Sequence, residues 1–439
     1  MKAVFSRFVL AAASALLLPM AARADVTPPA GFTALFNGKN LDGWFGHAGE
    51  DPRPLLKASP EELEKIWADS MANVNAHWSI DGDELVNDGH GLYLATKKNY
   101  RDFELHLEYK TVPKADSGIY LRGLPQVQIW DSTEEEKFKL GADKGSGGLW
   151  NNSPGAPGKD PLKKMDKPFG EWNKFEIKMI GERVTVKLNG ETVVDNAVLE
   201  NYLDRKAPAL AAGPIKLQTH GGEIRWRNVF VREISVGEAA QNLAARDAAG
   251  YTRLDNGQDL SNWQGAVENY EVVDGAIRCK QGKGGNLLTR EEYGDFAVRL
   301  EFKTPSAGNN GLAIRSPLEG DTAYTGMTEL QVLAEDYEAV KGKIDPRQAH
   351  GSAYGILAAH QGFQRPIGEW NYQEVTVKGS AIKVELNGTV ILNGDLSKID
   401  PTTFMAGKDH PGLARKSGFF GFAGHNDPVS FRNVFIKRL

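Results

Sequence analysis

The sequence has few cysteines, no long basic run and few long apolar segments, and these absences disfavour several large classes of protein. Cys279 is the single cysteine among 439 residues, so the chain can form no internal disulfide and holds no cysteine-based metal motif. The formal net charge is −5, and no long basic run is present. Because phosphate contacts need clustered lysine and arginine, the composition disfavours nucleic acid as a partner. No segment beyond the first residues is apolar and long enough to predict a membrane span.

The first 24 residues are typical of a secretory signal peptide. Lys2 and Arg7 are followed by an apolar stretch and by a small-x-small cleavage site at residues 22–24. A membrane anchor is the alternative interpretation, but the apolar stretch is too short for a comfortable span. We therefore expect cleavage before Asp25 and an exported, soluble protein, either periplasmic or secreted.

An internal repeat organises the rest of the chain. The segment "DFELHLEYKT" from Asp102 returns as "DFAVRLEFKT" from Asp295, and "GEWNKFEIKMIGERVTVKLNG" from Gly170 returns as "GEWNYQEVTVKGSAIKVELNG" from Gly368. The repeated segments keep the same order, which indicates a tandem duplication. We expect a first unit at 25–234 and a second unit at 250–439. The linker at 235–249 is rich in alanine and shows no strand pattern.

Within each unit the hydrophobic period is two. Phe103, Leu105, Leu107 and Tyr109 alternate with polar residues, which predicts a strand with one buried face. The 48 glycines favour many turns, and the repeated "LNG" segments at 188–190 and 386–388 predict tight hairpins. Such strands predict an all-β protein with one β-sandwich in each unit. In the first unit, a Ser-Pro-Glu-Glu segment at 59–62 predicts a capped helical insertion.

The ordered motifs resemble the 3-keto-disaccharide hydrolase domain family. They are "FTALFNGKNLDGW", "DSGIYLRG", "QVQIWD", "GSGGLWNN" and "GPIKLQTHGG" in the first unit, and "NNGLAIRS", "ELQVL", "HGSAYGI" and "GHNDPVSFRNVFI" in the second. The resemblance implies two tandem concanavalin-like jelly rolls and cleavage of glycosides that carry a ketone at carbon 3. It also implies an upstream sugar 3-oxidoreductase as a partner. A divalent cation such as calcium is possible only by analogy of fold, and no metal ligands are identified.

The implied reaction requires three kinds of chemical group. A ketone at carbon 3 acidifies the proton on carbon 2, and its removal by a base allows the group on carbon 1 to leave by elimination. The site therefore needs a general base, an acid for the leaving oxygen and donors for the enolate. A conventional glycosidase needs two facing carboxylates instead. The acidic signature expected of jelly-roll glucanases is absent, which disfavours that class.

Two histidines occupy aligned positions and are predicted to be catalytic. His220 and His425 each stand seven residues before the Arg of an "RNVF" ending, and imidazole exchanges protons near neutral pH. The alternative is a histidine that hydrogen-bonds its own turn. Asp131 and Glu329 are the candidate bases of the two units. They do not align, because Glu329 corresponds to Gln126, and the position that matches Asp131 holds Ala334.

Further residues are predicted to bind the substrate. Polar side chains on strands suggest a surface that faces a ligand, and aromatic residues in glycine-rich loops can stack on sugars. These residues are Arg122, Gln126, Gln128, Trp150 and Gln218 in the first unit and Arg315, Gln331 and Tyr354 in the second. For the two arginines the alternative is a structural ion pair, and for the loops it is ordinary exposure.

The sequence leaves three interpretations open. An enzyme acting on 3-keto-glycosides, by hydrolysis or by elimination with possible hydration, is the first. The second is a carbohydrate-binding protein without catalysis, since jelly rolls host lectins as well as enzymes. The third is a division of labour between the two units.

Overall fold

The computed structural model describes residues 26–47, 51–123 and 126–439. The predicted signal peptide and its cleavage site lie outside these residues. Within them the chain forms four antiparallel sheets, arranged as two β-sandwich units in tandem, with few helices. The prediction of an all-β protein made of two tandem jelly rolls is confirmed.

The first unit contains thirteen described strands. They are β1 (Thr33–Ala34), β2 (Trp44–His47), β3 (Trp78–Asp81), β4 (Glu84–Asn87), β5 (Tyr93–Thr96), β6 (Phe103–Thr111), β7 (Asp116–Tyr120), β8 (Gln126–Trp130), β9 (Asn173–Ile180), β10 (Arg183–Leu188), β11 (Glu191–Val198), β12 (Lys216–Leu217) and β13 (Ile224–Glu233).

The second unit also contains thirteen described strands. They are β14 (Thr252–Arg253), β15 (Trp263–Gly265), β16 (Tyr270–Val273), β17 (Ala276–Cys279), β18 (Gly284–Tyr293), β19 (Phe296–Lys303), β20 (Asn309–Ser316), β21 (Thr328–Leu333), β22 (Asn371–Lys378), β23 (Ala381–Leu386), β24 (Thr389–Asp395), β25 (Gly418–His425) and β26 (Ser430–Arg438). The described α-helices are α1 (Arg53–Lys57), α2 (Pro60–His77), α3 (Val236–Ala245), α4 (Thr322–Thr325) and α5 (Tyr337–Lys341).

The two units share one topology. The larger sheet runs β11-β10-β9-β6-β13-β4-β3 in the first unit and β24-β23-β22-β19-β26-β17-β16 in the second. The smaller sheet runs β2-β5-β12-β7-β8 in the first unit and β15-β18-β25-β20-β21 in the second. Each strand of a smaller sheet therefore has an equivalent strand in the other unit. Positions in the two units can be matched through the strand register.

The predicted alternation along β6 is observed. Phe103, Leu105, Leu107 and Tyr109 are almost completely buried in the core between the two sheets, and the residues between them are half-buried. Burying four large apolar side chains on one face stabilises the sandwich by about 1.5–3 kcal/mol each. The hairpin prediction also holds, because Asn189 and Asn387 have φ angles of 53° and 50°, as a tight turn requires.

Helices form the insertion of the first unit and part of the linker, outside the two β-sandwiches. In α2, Ser59 accepts a hydrogen bond from the Glu62 backbone and the Glu62 side chain completes the capping box, as expected for the insertion. The linker contains α3, whose buried face is formed by Ala239, Ala240 and Leu243. Within the described ranges, no helix has both the length and the apolar composition needed to cross a membrane.

Buried charges join the two units. Asp102 of the first unit accepts hydrogen bonds from Arg122 of its own unit, from the backbone of Gly181 and from Arg365 of the second unit. Glu385 of the second unit pairs with Arg183 of the first unit and with Arg246 of the linker. Breaking one partner of a buried pair is costly because it leaves an uncompensated charge. These contacts therefore hold the two units in a fixed arrangement.

Candidate active site

The candidate site of the second unit lies on its smaller sheet. In this sheet β20 lies between β25 and β21, and the register pairs Gly311 with Gln331 and Ala313 with Glu329. Cross-strand partners point to the same face of a sheet. Glu329 and Gln331 therefore share a face, as the sequence predicts for this strand, and His425 ends β25 two strands away.

Glu329 reaches across β20 to His425. Its Oε1 lies 3.3 Å from Nε2 of the imidazole, and the carboxylate is buried whereas 46% of the His425 side chain is exposed. The reach is possible because β20 has a glycine there: a Cβ on Gly311 would lie 1.9 Å from Oε1 of Glu329. The structure thus brings together the two residues of this unit that are predicted to be catalytic.

The carboxylate of Glu329 changes the proton affinity of the His425 imidazole. The hydrogen bond to Glu329 raises the pKa of His425 above its ordinary value of 6.5, and this effect exceeds the lowering caused by burial. When Nε2 carries the proton that points at Glu329, Nδ1 carries the lone pair. His425 is therefore arranged as a base of increased strength.

A cavity of about 330 Å³ opens beside this pair. Tyr324 and Tyr354 form part of its wall, with ring centroids 6.4 Å apart in an edge-to-face arrangement. The Lys408 ammonium stands 5.1 Å from the Tyr324 ring centroid. The other lining residues are Asn309, Asp321, Ala323, Gln331, Leu333, Tyr337, Ile344 and Gln348. The cavity combines a base, aromatic faces and a cation, and is wide enough for a sugar ring.

Gln331 lines this cavity with an amide that is only half satisfied. Its Nε2 donates to Oδ1 of Asn309 over 2.6 Å, and its buried Oε1 has no hydrogen-bond partner among the described residues. A buried acceptor without a partner costs free energy, about 1–3 kcal/mol, which a ligand hydroxyl can recover. Sequence reasoning found Gln331 but missed three lining residues that carry no repeated pattern: Asn309 at the start of β20, Tyr324 in α4 and Lys408 in a loop.

The first unit has the same histidine but a different carboxylate. Nδ1 of His220 lies 3.3 Å from Oδ2 of Asp116 on β7. The same oxygen accepts from Nζ of Lys137 over 3.0 Å, and Oδ1 accepts from Nε2 of Gln128 over 2.8 Å. Burial alone would raise the pKa of Asp116, but the hydrogen bonds from His220 and Lys137 outweigh it and lower the pKa. This carboxylate is therefore paired with a lysine as well as with the histidine.

The strand register shows that the two units exchange an acid and an amide. Gly118 pairs with Gln128 and Gly311 pairs with Gln331, so Asp116 corresponds to Asn309 and Gln126 corresponds to Glu329. The first unit has its carboxylate on the inner strand, and the second has it on the edge strand. Each site retains one carboxylate beside its histidine. The sequence carries this signal in the aligned segments "DSG" and "NNG", although Asp116 is not among the predicted residues.

The predicted binding glutamines Gln126 and Gln218 of the first unit are only partly hydrogen-bonded, since the buried Oε1 of each has no partner among the described residues. Gln126 donates to Gln128, and Nε2 of Gln218 lies 3.3 Å from the Tyr93 hydroxyl. Both Gln126 and Gln218 are buried. Trp150 occupies the predicted loop, but Nζ of Lys159 stands 3.7 Å from its ring centroid and covers that face. The structure thus brings Gln126 and Gln128 together beside Asp116 and His220.

Asp131 occupies a turn rather than the neighbourhood of His220. Its Oδ2 accepts from the Lys114 backbone over 2.8 Å, and its Oδ1 accepts from the backbone and hydroxyl of Thr133. In the second unit, Asp336 holds the matching turn through the Ala307 backbone and Ser306. The turn contact has therefore moved by two positions, which explains why Ala334 stands opposite Asp131 in the sequence. The structure therefore places the Asp131 carboxylate in a turn, where backbone and hydroxyl donors bind both of its oxygens.

Arg122 and Arg315 are both buried, and each pairs with an aspartate: Asp102 is buried, whereas 37% of the Asp295 side chain is exposed. Nη2 of Arg122 lies 3.0 Å from Asp102, and Nη2 of Arg315 lies 2.8 Å from Asp295. Both arginines have positive φ angles, Arg122 just after β7 and Arg315 near the end of β20. Their aspartate partners correspond to the alternative interpretation of the two arginines as members of structural ion pairs.

The predicted possibility of a divalent cation can be compared with the arrangement of the described side chains. Among the residues that the structure describes, no group of three or more histidine, cysteine, aspartate or glutamate side chains is arranged to hold an ion. The two histidine–carboxylate pairs each provide two such groups, which is fewer than a protein site for calcium uses.

The geometry can be compared with known proteins. The model of the 3-keto-alpha-glucoside-1,2-lyase-like domain matches residues 31–232 and 250–437. A 3-keto-disaccharide hydrolase from Bacteroides thetaiotaomicron is 25% identical over 232 residues, which cover 44% of this chain and 80% of that protein.

Solved structures are similar to single units. Two candidate glycosyl hydrolases from Parabacteroides distasonis are 26% and 30% identical, each with a TM-score of 0.37. Their alignments cover 44% and 43% of this chain and 95% and 99% of those chains. A carbohydrate-binding module from Bacillus subtilis is 12% identical, with a TM-score of 0.25, and covers 43% of this chain and 95% of that one.

Proposed function

Because the chain belongs to the 3-keto-alpha-glucoside-1,2-lyase-like family, we propose that it cleaves the glycosidic bond of 3-keto-glycosides by proton abstraction at carbon 2 and elimination. The family assignment supports the substrate class. The contact of 3.3 Å between His425 and Glu329, beside an open cavity, carries the proposal for this chain.

The pair fits the first step of such a reaction. Nδ1 of His425 takes the proton from carbon 2 while Glu329 stabilises the imidazolium that forms. A base whose pKa is raised towards the working pH transfers protons efficiently, and general-base catalysis contributes about 10²–10⁴-fold to a rate. The Lys408 ammonium at the cavity stabilises the enolate oxygen at carbon 3.

The second step breaks the bond between carbon 1 and the glycosidic oxygen. The enolate oxygen re-forms the ketone at carbon 3, and the electron pair between carbons 2 and 3 moves to form a double bond between carbons 1 and 2. The leaving oxygen then takes a proton. Water added across that double bond would complete a net hydrolysis. The substrate must be supplied by a reaction that oxidises the hydroxyl at carbon 3 of a glycoside, which is the role of the expected oxidoreductase.

The test is a mass-spectrometric assay of the purified protein without its first 24 residues. The substrates are 3-keto-glucosides and 3-keto-disaccharides, and the unoxidised sugars and an enzyme-free sample serve as controls. Release of the aglycone from the keto forms alone is the expected result. The unsaturated sugar and the hydrated sugar differ by one water, so the same spectra identify the product.

A carbohydrate-binding protein without catalysis is the second candidate. The perpendicular rings of Tyr324 and Tyr354 favour it, because aromatic faces in a polar cavity also suit a lectin. Calorimetric binding of both keto and unoxidised sugars, with no release of aglycone from either, would contradict the proposed reaction and support this candidate.

A further inference from the structure

Tyr354 is positioned by the same strand that carries Glu329. Its backbone N–H donates to the Glu329 carbonyl over 2.9 Å, and its hydroxyl oxygen accepts from Nε2 of Gln348 over 3.0 Å. The side chain lines the cavity together with His425 and Glu329. We propose that Tyr354 is the general acid that protonates the glycosidic oxygen as it leaves carbon 1. This inference rests on the proposed function and assigns its second proton transfer.

Gln348 prepares the hydroxyl for this task. An amide N–H can only donate, so it engages a lone pair of the phenol oxygen and leaves the phenolic proton free for another acceptor. The same N–H stabilises the phenolate that remains after the proton has gone. Partial burial raises the pKa of Tyr354, so the hydroxyl keeps its proton at neutral pH until a stronger base, the departing alkoxide, is present.

The proton transfers balance. His425 removes the proton from carbon 2, and the electron pair forms the enolate. When the bond between carbon 1 and oxygen breaks, its electrons remain on the oxygen, which takes the proton of Tyr354. The phenolate then regains a proton from the imidazolium of His425, directly or through water. The aglycone leaves as an alcohol, the sugar leaves with one double bond, and both side chains return to their starting states.

The first unit has no such acid at the matching position. Trp150 donates its backbone N–H to the carbonyl of Gln126 over 3.2 Å, as Tyr354 does to Glu329. An indole N–H is a hydrogen-bond donor but has no proton to transfer at neutral pH. The Asp116 carboxylate is also paired with Lys137. The geometry therefore assigns cleavage of unactivated leaving groups to the second unit.

The test compares two leaving groups in the Tyr354→Phe variant. The 4-nitrophenyl 3-keto-glucoside releases a phenolate that needs no proton, whereas a 3-keto-disaccharide releases a sugar alkoxide that does. We expect kcat for the disaccharide to fall by about 10²–10⁴-fold and kcat for the nitrophenyl substrate to fall by less than about tenfold. Exchange of the carbon-2 proton with deuterium, followed by NMR, should continue in the variant.

Tyr337→Phe is the matched control, because it removes another phenol from the lining of the same cavity. It should keep the wild-type ratio of the two rates. Equal losses of both rates in Tyr354→Phe, or a loss of deuterium exchange, would overturn the inference while the proposed reaction of the wild type stands. Absence of release from any keto substrate by the wild type would instead overturn the proposed function.

Discussion

The carboxylate of Glu329 contacts the imidazole of His425 across an intervening strand, through a space left by Gly311. A Cβ at Gly311 would meet Oε1, Cδ and Cγ of Glu329 at 1.9 to 2.4 Å, closer than side-chain contacts allow. The whole carboxyl group, rather than one flexible atom, would have to move. The pairing of base and carboxylate therefore depends on a buried glycine.

Gly311→Ala is expected to displace Glu329 and separate it from His425. The pKa of His425 should fall towards 6.5, which an NMR titration of the histidine ring protons would show, and kcat should fall by about 10²-fold. Gly118→Ala in the first unit is the matched control, because the nearest atoms, in the Gln126 side chain and the Val127 carbonyl, are 3.0 Å away and need to move less. An unchanged His425 titration in Gly311→Ala would contradict this account.

Glu329→Gln is expected to shift the pH dependence of the reaction. His425 acts as a base only when it is neutral, so kcat/KM should rise with pH through its pKa, which lies above 6.5 in the wild type because of Glu329. Glutamine keeps the shape but not the charge. The rising limb should therefore move to lower pH while the maximum falls. A limb that stays in place, measured with the 3-keto-disaccharide between pH 5 and 9, would show that another group is the base.

Much of the fold could be predicted because the duplication repeats its pattern. The alternation along residues 103–109, the paired asparagine turns and the capping box at 59–62 each depend on local chemistry that the sequence displays directly. The helix in the linker could not be predicted in the same way, because α3 is stabilised by packing of Leu243 and two alanines against the body of the protein. That packing is a tertiary effect without a local signal.

The candidate site could be predicted only in part. His425, Glu329, Gln331 and Tyr354 were identified and do meet at one cavity. Arg122 follows β7 in a turn and pairs with Asp102, and Asp131 is held in another turn by Lys114 and Thr133, contacts that have no local signal in the sequence. Asp116 was missed although the segments "DSG" and "NNG" align, because the register is needed to show that the acid and the amide have exchanged strands between the units.

Asp102→Ala is expected to destabilise the protein strongly. Its carboxylate neutralises both Arg122 and Arg365, and 2% of its side chain is exposed, so removal leaves two buried cations. The free energy of unfolding should fall by about 3–5 kcal/mol. Asp295→Ala is the matched control, since Asp295 pairs with the single buried Arg315 and is itself 37% exposed, and its loss should cost less than the loss of Asp102. Guanidinium titrations of both variants would measure this difference, and equal costs would contradict the role of the interface.

Glu182 is expected to make stability depend on pH. It is buried between the units, where it accepts from the backbones of Ala209 and Val390, and burial raises its pKa from 4.5 to about 7. Between these values the folded state binds more protons than the unfolded state, so stability falls as the pH rises from about 4.5 to about 7 and then levels off. The total loss from this group is at most about 3 kcal/mol.

Glu182→Gln removes the titrating proton from this interface. The fall in the denaturation midpoint between pH 5 and pH 8 should therefore be smaller in Glu182→Gln than in the wild type. Glu171→Gln, which changes an exposed glutamate of the same unit, should keep the wild-type dependence. Parallel pH profiles for the wild type and Glu182→Gln would mean that Glu182 ionises in the folded protein as it does in the unfolded chain. In that case the two backbone donors and Arg122 would outweigh the cost of burying its charge.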